Sequence, residues 1–250
     1  MEYLGPLVAA GLKLVVDSGF RTRVLRFFRR RRRILVLGAS GVGKTAFVRS
    51  LSGDPLRAGD LLFPTHTTVR SHVGVSEVPF AIADTPGHQL YRGRRREAAL
   101  EGARRPYDAV VNVVAYGYHQ VERPGDGVLC ADGTRPRAAF LRSRRATEIE
   151  QVLEWRDVIA MGTARRVVTL VNKADLWAPS DMEVMRYYEE GPYKEALGEL
   201  AGKLPHTVLP YCSVIQTFYD GVTSGRFGDR ERAALQAYFL ATLLDVARHG

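Results

Sequence analysis

Cysteine is scarce in this chain and long apolar runs are missing. Only Cys130 and Cys212 occur in 250 residues, at no metal-ligand spacing. Their scarcity argues against a disulfide framework. With no secretory leader in view, it points to a reducing, cytoplasmic compartment. No stretch approaches the roughly 20 apolar residues that cross a bilayer; the best candidate, Leu4 to Phe20, is interrupted by Lys13 and Asp17. No internal repeat is found. Acids are absent between residues 21 and 33, where Arg21, Arg23, Arg26 and Arg29 to Arg33 place eight positive charges, nearly the whole net charge of +9. What is present suits one domain of ordinary size, because 46% apolar composition is enough for a full core.

Alternating buried runs and helical stretches predict an α/β fold, a parallel-rich sheet with helices on both faces. Strands are expected at 33–38, 68–75, 79–84, 108–115, 166–171 and 206–211, the second antiparallel to the third. Helices are expected at about 43–52, 93–104, 145–161, 182–203 and 230–248. The last carries Leu235, Phe239, Thr242 and Val246 at turn spacing, as an amphipathic closing helix would.

The octet Gly38-Ala39-Ser40-Gly41-Val42-Gly43-Lys44-Thr45 follows the apolar run Ile34 to Leu37 directly. A strand that turns through glycines into a helix can aim successive amides at a phosphate. Lys44 can then span the β- and γ-phosphates, and the Thr45 hydroxyl can join a magnesium shell. The octet points to a nucleoside triphosphate. Asn172-Lys173-Ala174-Asp175 follows a second buried run, Val167 to Val171. A carboxylate at the mouth of a strand can accept from the ring N–H and the exocyclic amine of guanine, a donor pair that adenine lacks. Asp84-Thr85-Pro86-Gly87-His88 closes a third run, Phe80 to Ala83; there the carboxylate can hold magnesium through water and the Gly87 amide can sense the γ-phosphate.

In this order, the three segments resemble those of the GTPase class of P-loop proteins, the Ras-like and translation-factor-like superfamily, over roughly Arg33 to Gly250. The resemblance implies the three-layer P-loop GTPase fold, a six-stranded mostly parallel sheet with one antiparallel strand. It implies GTP and GDP as substrate and product, with Mg2+ as cofactor. Gly38, Ser40, Gly41, Val42, Gly43, Lys44, Thr45 and Ala46 would hold phosphates, and Asp84 and Gly87 would face the γ-phosphate. Asn172, Lys173 and Asp175 would hold guanine together with Cys212, Ser213 and Val214, where the family usually carries Ser-Ala-Lys or Ser-Ala-Leu. Metal ligands would be Thr45, Asp84 and a switch threonine. Thr65 in Pro64-Thr65 resembles the Ras-like and Arf-like pattern, and Thr67 resembles the pair of Era-like GTPases; Thr65 is preferred. His88 stands where translation-factor-like members position the attacking water, with His66 or Gln89 as substitutes, so the catalytic set is His88, Lys44 and Thr65.

The implied activity is a slow GTP-hydrolysing molecular switch that controls a partner through its switch loops. The alternative is a non-cycling GTP- or GDP-binding interaction module.

Two additions depart from a minimal domain. Eighty-eight positions separate Asp84 from Asn172, more than a Ras-like core needs, so an insertion is expected at about 116–143. A hairpin with Val128-Leu129-Cys130 as one strand and Asp132-Gly133 at its turn suits it, either as a partner-facing element or as a neutral loop. Residues 1–32 form the other addition, with 33–250 as the GTPase domain. Leu4, Leu7, Val8, Leu12, Val15 and Gly19 make an apolar stripe ahead of the arginines. Three partners suit it: an anionic membrane surface reached through residues 1–33 from the cytoplasmic face, a protein surface, and, less well, nucleic acid. A second cluster, Arg92, Arg94, Arg95, Arg96, Arg104 and Arg105, is a candidate effector surface.

Overall fold

The structure, a computed structural model, describes residues 2–16, 33–52, 69–74, 79–84, 92–120, 127–130, 135–215, 218–219 and 227–246. Its centre is a six-stranded sheet ordered β2-β3-β1-β4-β5-β6. The strands are β1 (Arg33–Gly38), β2 (Val69–Gly74), β3 (Pro79–Asp84), β4 (Ala109–Val114), β5 (Val167–Val171) and β6 (His206–Pro210). β1 runs parallel to β3 and β4, with Ile34 opposite Ala109 and Val36 opposite Asp84. β4, β5 and β6 continue in parallel, and β2 alone is antiparallel, on β3. Burial is complete along β4 and β5, which fits Val-rich runs, interrupted only by the buried Asn112 and Thr169, enclosed by helices on both faces.

The helices are α1 (Leu4–Val16), α2 (Lys44–Ser52), α3 (Arg92–Leu100), α4 (Ala138–Val158), α5 (Ala174–Trp177), α6 (Asp181–Glu189), α7 (Pro192–Leu197), α8 (Leu200–Lys203) and α9 (Asp229–Val246). The single helix expected over 182–203 is three short ones. Pro192 lacks the N–H that would continue α6 and begins α7 instead. Gly198 then ends α7 at φ +53°, a left-handed conformation that glycine enters cheaply. Helix α4 starts at Ala138, seven residues before the expected 145, because turn chemistry stops at Pro136 and the arginines beyond are good helix formers. The irregular part of the insertion is correspondingly shorter. Within it, residues 128–130 and 135–137 pair antiparallel: the Cys130 amide donates to Arg135 O at 2.8 Å and the Arg137 amide to Val128 O at 2.9 Å.

The closing helix α9 is not amphipathic in the expected way, for it is covered on two sides. Phe239 and Leu243 pack with Phe47 and Tyr211 under the sheet, while Ala234 and Leu235 join Leu4 and Val8 of α1. Of the expected stripe, Leu235 and Phe239 are buried and Thr242 is only half-buried, donating to Tyr238 O at 3.0 Å. Gly11 makes the α1–α9 approach possible: a Cβ there would stand 2.0 Å from Ala234 O. The start of α1 is held from α6, where one Asp181 carboxylate oxygen accepts the Tyr3 and Leu4 amides, both at 2.9 Å. Tyr3 also donates its hydroxyl to Glu189 Oε1 at 2.6 Å. The α1 stripe offered to a membrane or a partner helix is therefore used within the chain, leaving Val15 and Val16 exposed. Among the described residues no helix is long and apolar enough to cross a membrane.

Candidate functional site

The site gathers at the carboxyl edge of the sheet, where β1, β3, β4 and β5 end. β1 delivers Gly38 at φ +138°, with Val113 O only 2.2 Å from where a Cβ would be. The loop then turns through Gly41 (φ +79°) and Gly43 (φ +91°) before α2 begins at Lys44. These conformations suit glycine and leave the loop backbone exposed to a ligand without side-chain bulk. Lys44 is buried, its ammonium donating to Ala39 O at 2.7 Å. Thr45 and Ala46 follow it in the first turn of α2, a helix start whose dipole and inward-pointing amides attract an anion.

Asn172 joins the two ends of the site. Its Nδ2 donates to Val42 O at 2.9 Å, and its Oδ1 accepts both the amide and the hydroxyl of Ser213 at 3.0 Å. The glycine at 43 is required by this contact, since a Cβ would lie 2.5 Å from Asn172 Nδ2. One side chain thus ties the phosphate-type loop to the segment Cys212-Ser213-Val214. Lys173 adopts φ +62° and donates to Tyr118 O at 2.7 Å. Burial pushes its ammonium down to about 8, opposed by the carboxylates of Asp175 and Glu148. Asp175 is 2% exposed in the first turn of α5, and the Cys212 thiol donates to its Oδ1 at 3.4 Å. Burial raises the Cys212 thiol well above its ordinary range, with the Asp175 charge adding to the effect, so it stays protonated as a donor.

Asp84 ends β3 beside Val36 of β1, one strand from the loop. Thr65, Gly87 and His88 lie outside the described residues, as do Thr67, His66 and Gln89. Of the second arginine cluster, Arg95 turns inward: its Nη2 reaches Glu154 at 2.7 Å and its side chain is 2% exposed. Arg92 meets the other oxygen of Glu154, also at 2.7 Å. Arg95 is therefore no part of a solvent-facing effector surface, whereas Arg94, Arg96, Arg104 and Arg105 remain exposed.

Several participants carry no sequence signal. After β4, residues 115–120 pass over the site as a strap: the Gln120 amide donates to Gly41 O at 3.1 Å, and Tyr118 O holds the Lys173 ammonium. Tyr118 packs edge-on against Phe218, whose ring centroid is 5.9 Å from Lys173 Nζ. Phe218 in turn sits with Leu176, beside Asp175, and with Val128 of the inserted pair. The insertion therefore reaches the Lys173 end of the site. Phe218 lies in a turn-rich stretch with no motif to flag it, and Tyr118 looks like an ordinary loop residue.

The model of a family described as 50S ribosome-binding GTPase matches residues 33–173. No curated protein matches. Among solved structures, the Arl6 BBS3 small GTPase from Trypanosoma brucei, with bound nucleotide analogue GppNp, is 15% identical with a TM-score of 0.51, covering 88% of this chain and 99% of that one. An S. thermophilus NFeoB variant bound to GDP and AlF4− is 16% identical with a TM-score of 0.42, covering 76% of this chain. This chain spans about three fifths of that structure, 59% of its length.

Proposed function

The chain belongs to the family described as 50S ribosome-binding GTPase, and on that footing we propose that it is a guanine-nucleotide switch that hydrolyses GTP slowly and controls a partner through its switch segments. The observation that carries the reading is Asn172, which links Val42 of the loop to Ser213 and so fixes the distance between phosphate-binding and base-reading ends. In this reading Lys173 lays its stem along the base and Asp175, steadied by Cys212, accepts from guanine. The Gly38 to Thr45 loop and the first turn of α2 hold the phosphates. Asn172 and the Ser213 amide fix the backbone at which the guanine oxygen is met.

Magnesium fits the donor set. Thr45 supplies a hydroxyl and Asp84 a carboxylate, both hard oxygen ligands of the kind this ion prefers. Bound there with Thr65 or Thr67, it would neutralise charge on the phosphates. His88 is proposed to orient the water, and the loop amides and Lys44 to absorb developing negative charge. With no arginine finger assigned, intrinsic turnover is expected at about 10⁻⁴ to 10⁻² per second. The arginines of residues 21–33 are proposed to meet an anionic partner, and the exposed Arg94 and Arg96 an acidic effector.

The test is titration of GTP, GDP and ATP into nucleotide-stripped protein, repeated with Asp175→Asn and xanthosine nucleotides. Preference for guanine that moves to xanthine in the variant is expected. Indifference to the base, or tighter ATP, overturns the reading. Phosphate release by His88→Ala separates the switch from a non-cycling binding module: the switch predicts intact binding with release lost.

A further inference from the structure

We propose that Glu148, in the middle of α4, is a positioning residue for the nucleotide site, acting through the strap 115–120 that it anchors. The inference rests on the guanine-nucleotide reading above but concerns a residue that belongs to none of its motifs.

Glu148 is 1% exposed and its two oxygens accept from four donors. Oε1 takes the Ala115 amide at 2.9 Å, the Gly117 amide at 3.3 Å and His119 Nε2 at 2.8 Å. Oε2 takes the Tyr188 hydroxyl at 2.6 Å, and the oxygen of that hydroxyl accepts the Tyr116 amide at 2.8 Å. Every residue from 115 to 117, and the side chain of 119, is thus tied to one carboxylate directly or through Tyr188. His119 is itself buried, and burial lowers its affinity for a proton despite the neighbouring Glu148, so the ring is a neutral donor through Nε2.

So large a donor set is expensive to place in a protein interior without a purpose. A buried carboxylate must be matched by hydrogen bonds or it destabilises the fold. Two of the four matching groups here are backbone amides of a segment with unusual geometry, in which Tyr116 has φ +50° and Gly117 φ +85°, with Leu141 O 2.4 Å from where a Gly117 Cβ would be. The carboxylate holds that turn in place. What the turn presents is the useful part. Tyr118 O meets Lys173 Nζ and the Gln120 amide meets Gly41 O, so one strap clasps both the base-end lysine and the phosphate-end loop. Gly41 and Gln120 are so close that a Cβ on Gly41 would lie 2.5 Å from Gln120 O. Displacing the strap would release Lys173 and loosen the loop together, while Asn172 alone held the two ends.

The test compares GDP dissociation from wild-type protein, Glu148→Ala and Glu148→Gln, using a fluorescent GDP with magnesium present, at a temperature where circular dichroism shows each folded. Glu148→Ala is expected to release GDP at least tenfold faster. Glu148→Gln keeps an acceptor for the strap amides and can turn its amide toward the Tyr188 oxygen, so release within about threefold of wild type is expected. This rescue separates positioning from the need for a charge. Wild-type release rates in Glu148→Ala, or equal acceleration in both variants, overturn the proposal. Should Glu148→Ala not fold, Tyr188→Phe removes the donor to Oε2 and the acceptor for Tyr116 while leaving the ring, and must itself accelerate release; an unchanged rate overturns the proposal. Failure of the wild-type protein to bind guanine nucleotide would instead remove the functional reading on which it rests.

Discussion

His206 opens β6 with its Nε2 3.0 Å from the Thr169 hydroxyl, and burial, with Lys194 nearby, lowers its affinity for a proton to about 4. His119 is lowered in the same direction by burial. Unfolding frees both rings to take protons near pH 6.5. Stability is therefore full above that pH and falls as pH drops through 6.5 toward 4, by up to ~1.4 kcal/mol per pH unit for each histidine that stays neutral in the fold. Urea melts at pH 7.5, 6 and 5 should show this loss, and His206→Gln should flatten part of the slope. At this scale the sequence was readable where chemistry repeats a pattern and opaque where it depends on burial. Lys44, Asn172 and Asp175 stand out because they follow apolar runs. Glu148 sits among Arg144, Arg145 and Glu150 and looks like one more surface charge; only the fold of the 115–120 segment turns it inward.

Among the elements, α1 shows how little a helical stripe says about its own partner. Leu4, Val8 and Gly11 would suit a lipid surface, a foreign helix or the chain's own α9 equally well, and the choice falls to a glycine that admits Ala234 and a carboxylate that receives the helix start. Asp181→Ala should cost about 1–2 kcal/mol of stability, the usual effect of losing a side chain that accepts helix-start amides. Gly11→Leu should separate α1 from α9, read as faster amide exchange in residues 4–16 with the nucleotide affinity retained. Strand positions were legible to within a residue or two, because buried parallel strands are largely apolar runs, broken here only by single polar residues such as Asn112 and Thr169. The helices between β5 and β6 were not: Pro192 and Gly198 interrupt a stretch whose apolar residues keep helical spacing across both breaks. The insertion was legible as turn chemistry, but its contact with Phe218 joins residues some 90 positions apart, which no local pattern conveys.

For the whole molecule, charge and chemistry are unevenly placed. Eight arginines lie in residues 21–33, the last of them, Arg33, opening β1, and the candidate nucleotide site lies at the other end of the same strand. With β1 six residues long and about 3.3 Å per residue, Arg33 and the loop after Gly38 are separated by nearly 20 Å. The anionic partner proposed for the arginines should therefore be separable from nucleotide binding. Replacing Arg26 and Arg29 to Arg32 by glutamine is expected to abolish salt-sensitive binding to vesicles of anionic lipid and leave GDP affinity unchanged, measured by co-sedimentation and by nucleotide titration. Binding that survives the replacement would turn attention to the exposed Val15 and Val16.

The pairing of α1 with α9 also has a consequence in time. A ribosome releases residue 11 long before residue 234, and at about 5–20 residues per second the interval is roughly 10 to 45 seconds. Throughout it, the nascent chain carries an apolar helix whose seat has not been made. Helix α1, synthesised long before α9, is thus among the last elements to settle, and whatever meets it at the tunnel exit, chaperone or lipid, does so before the finished fold conceals it.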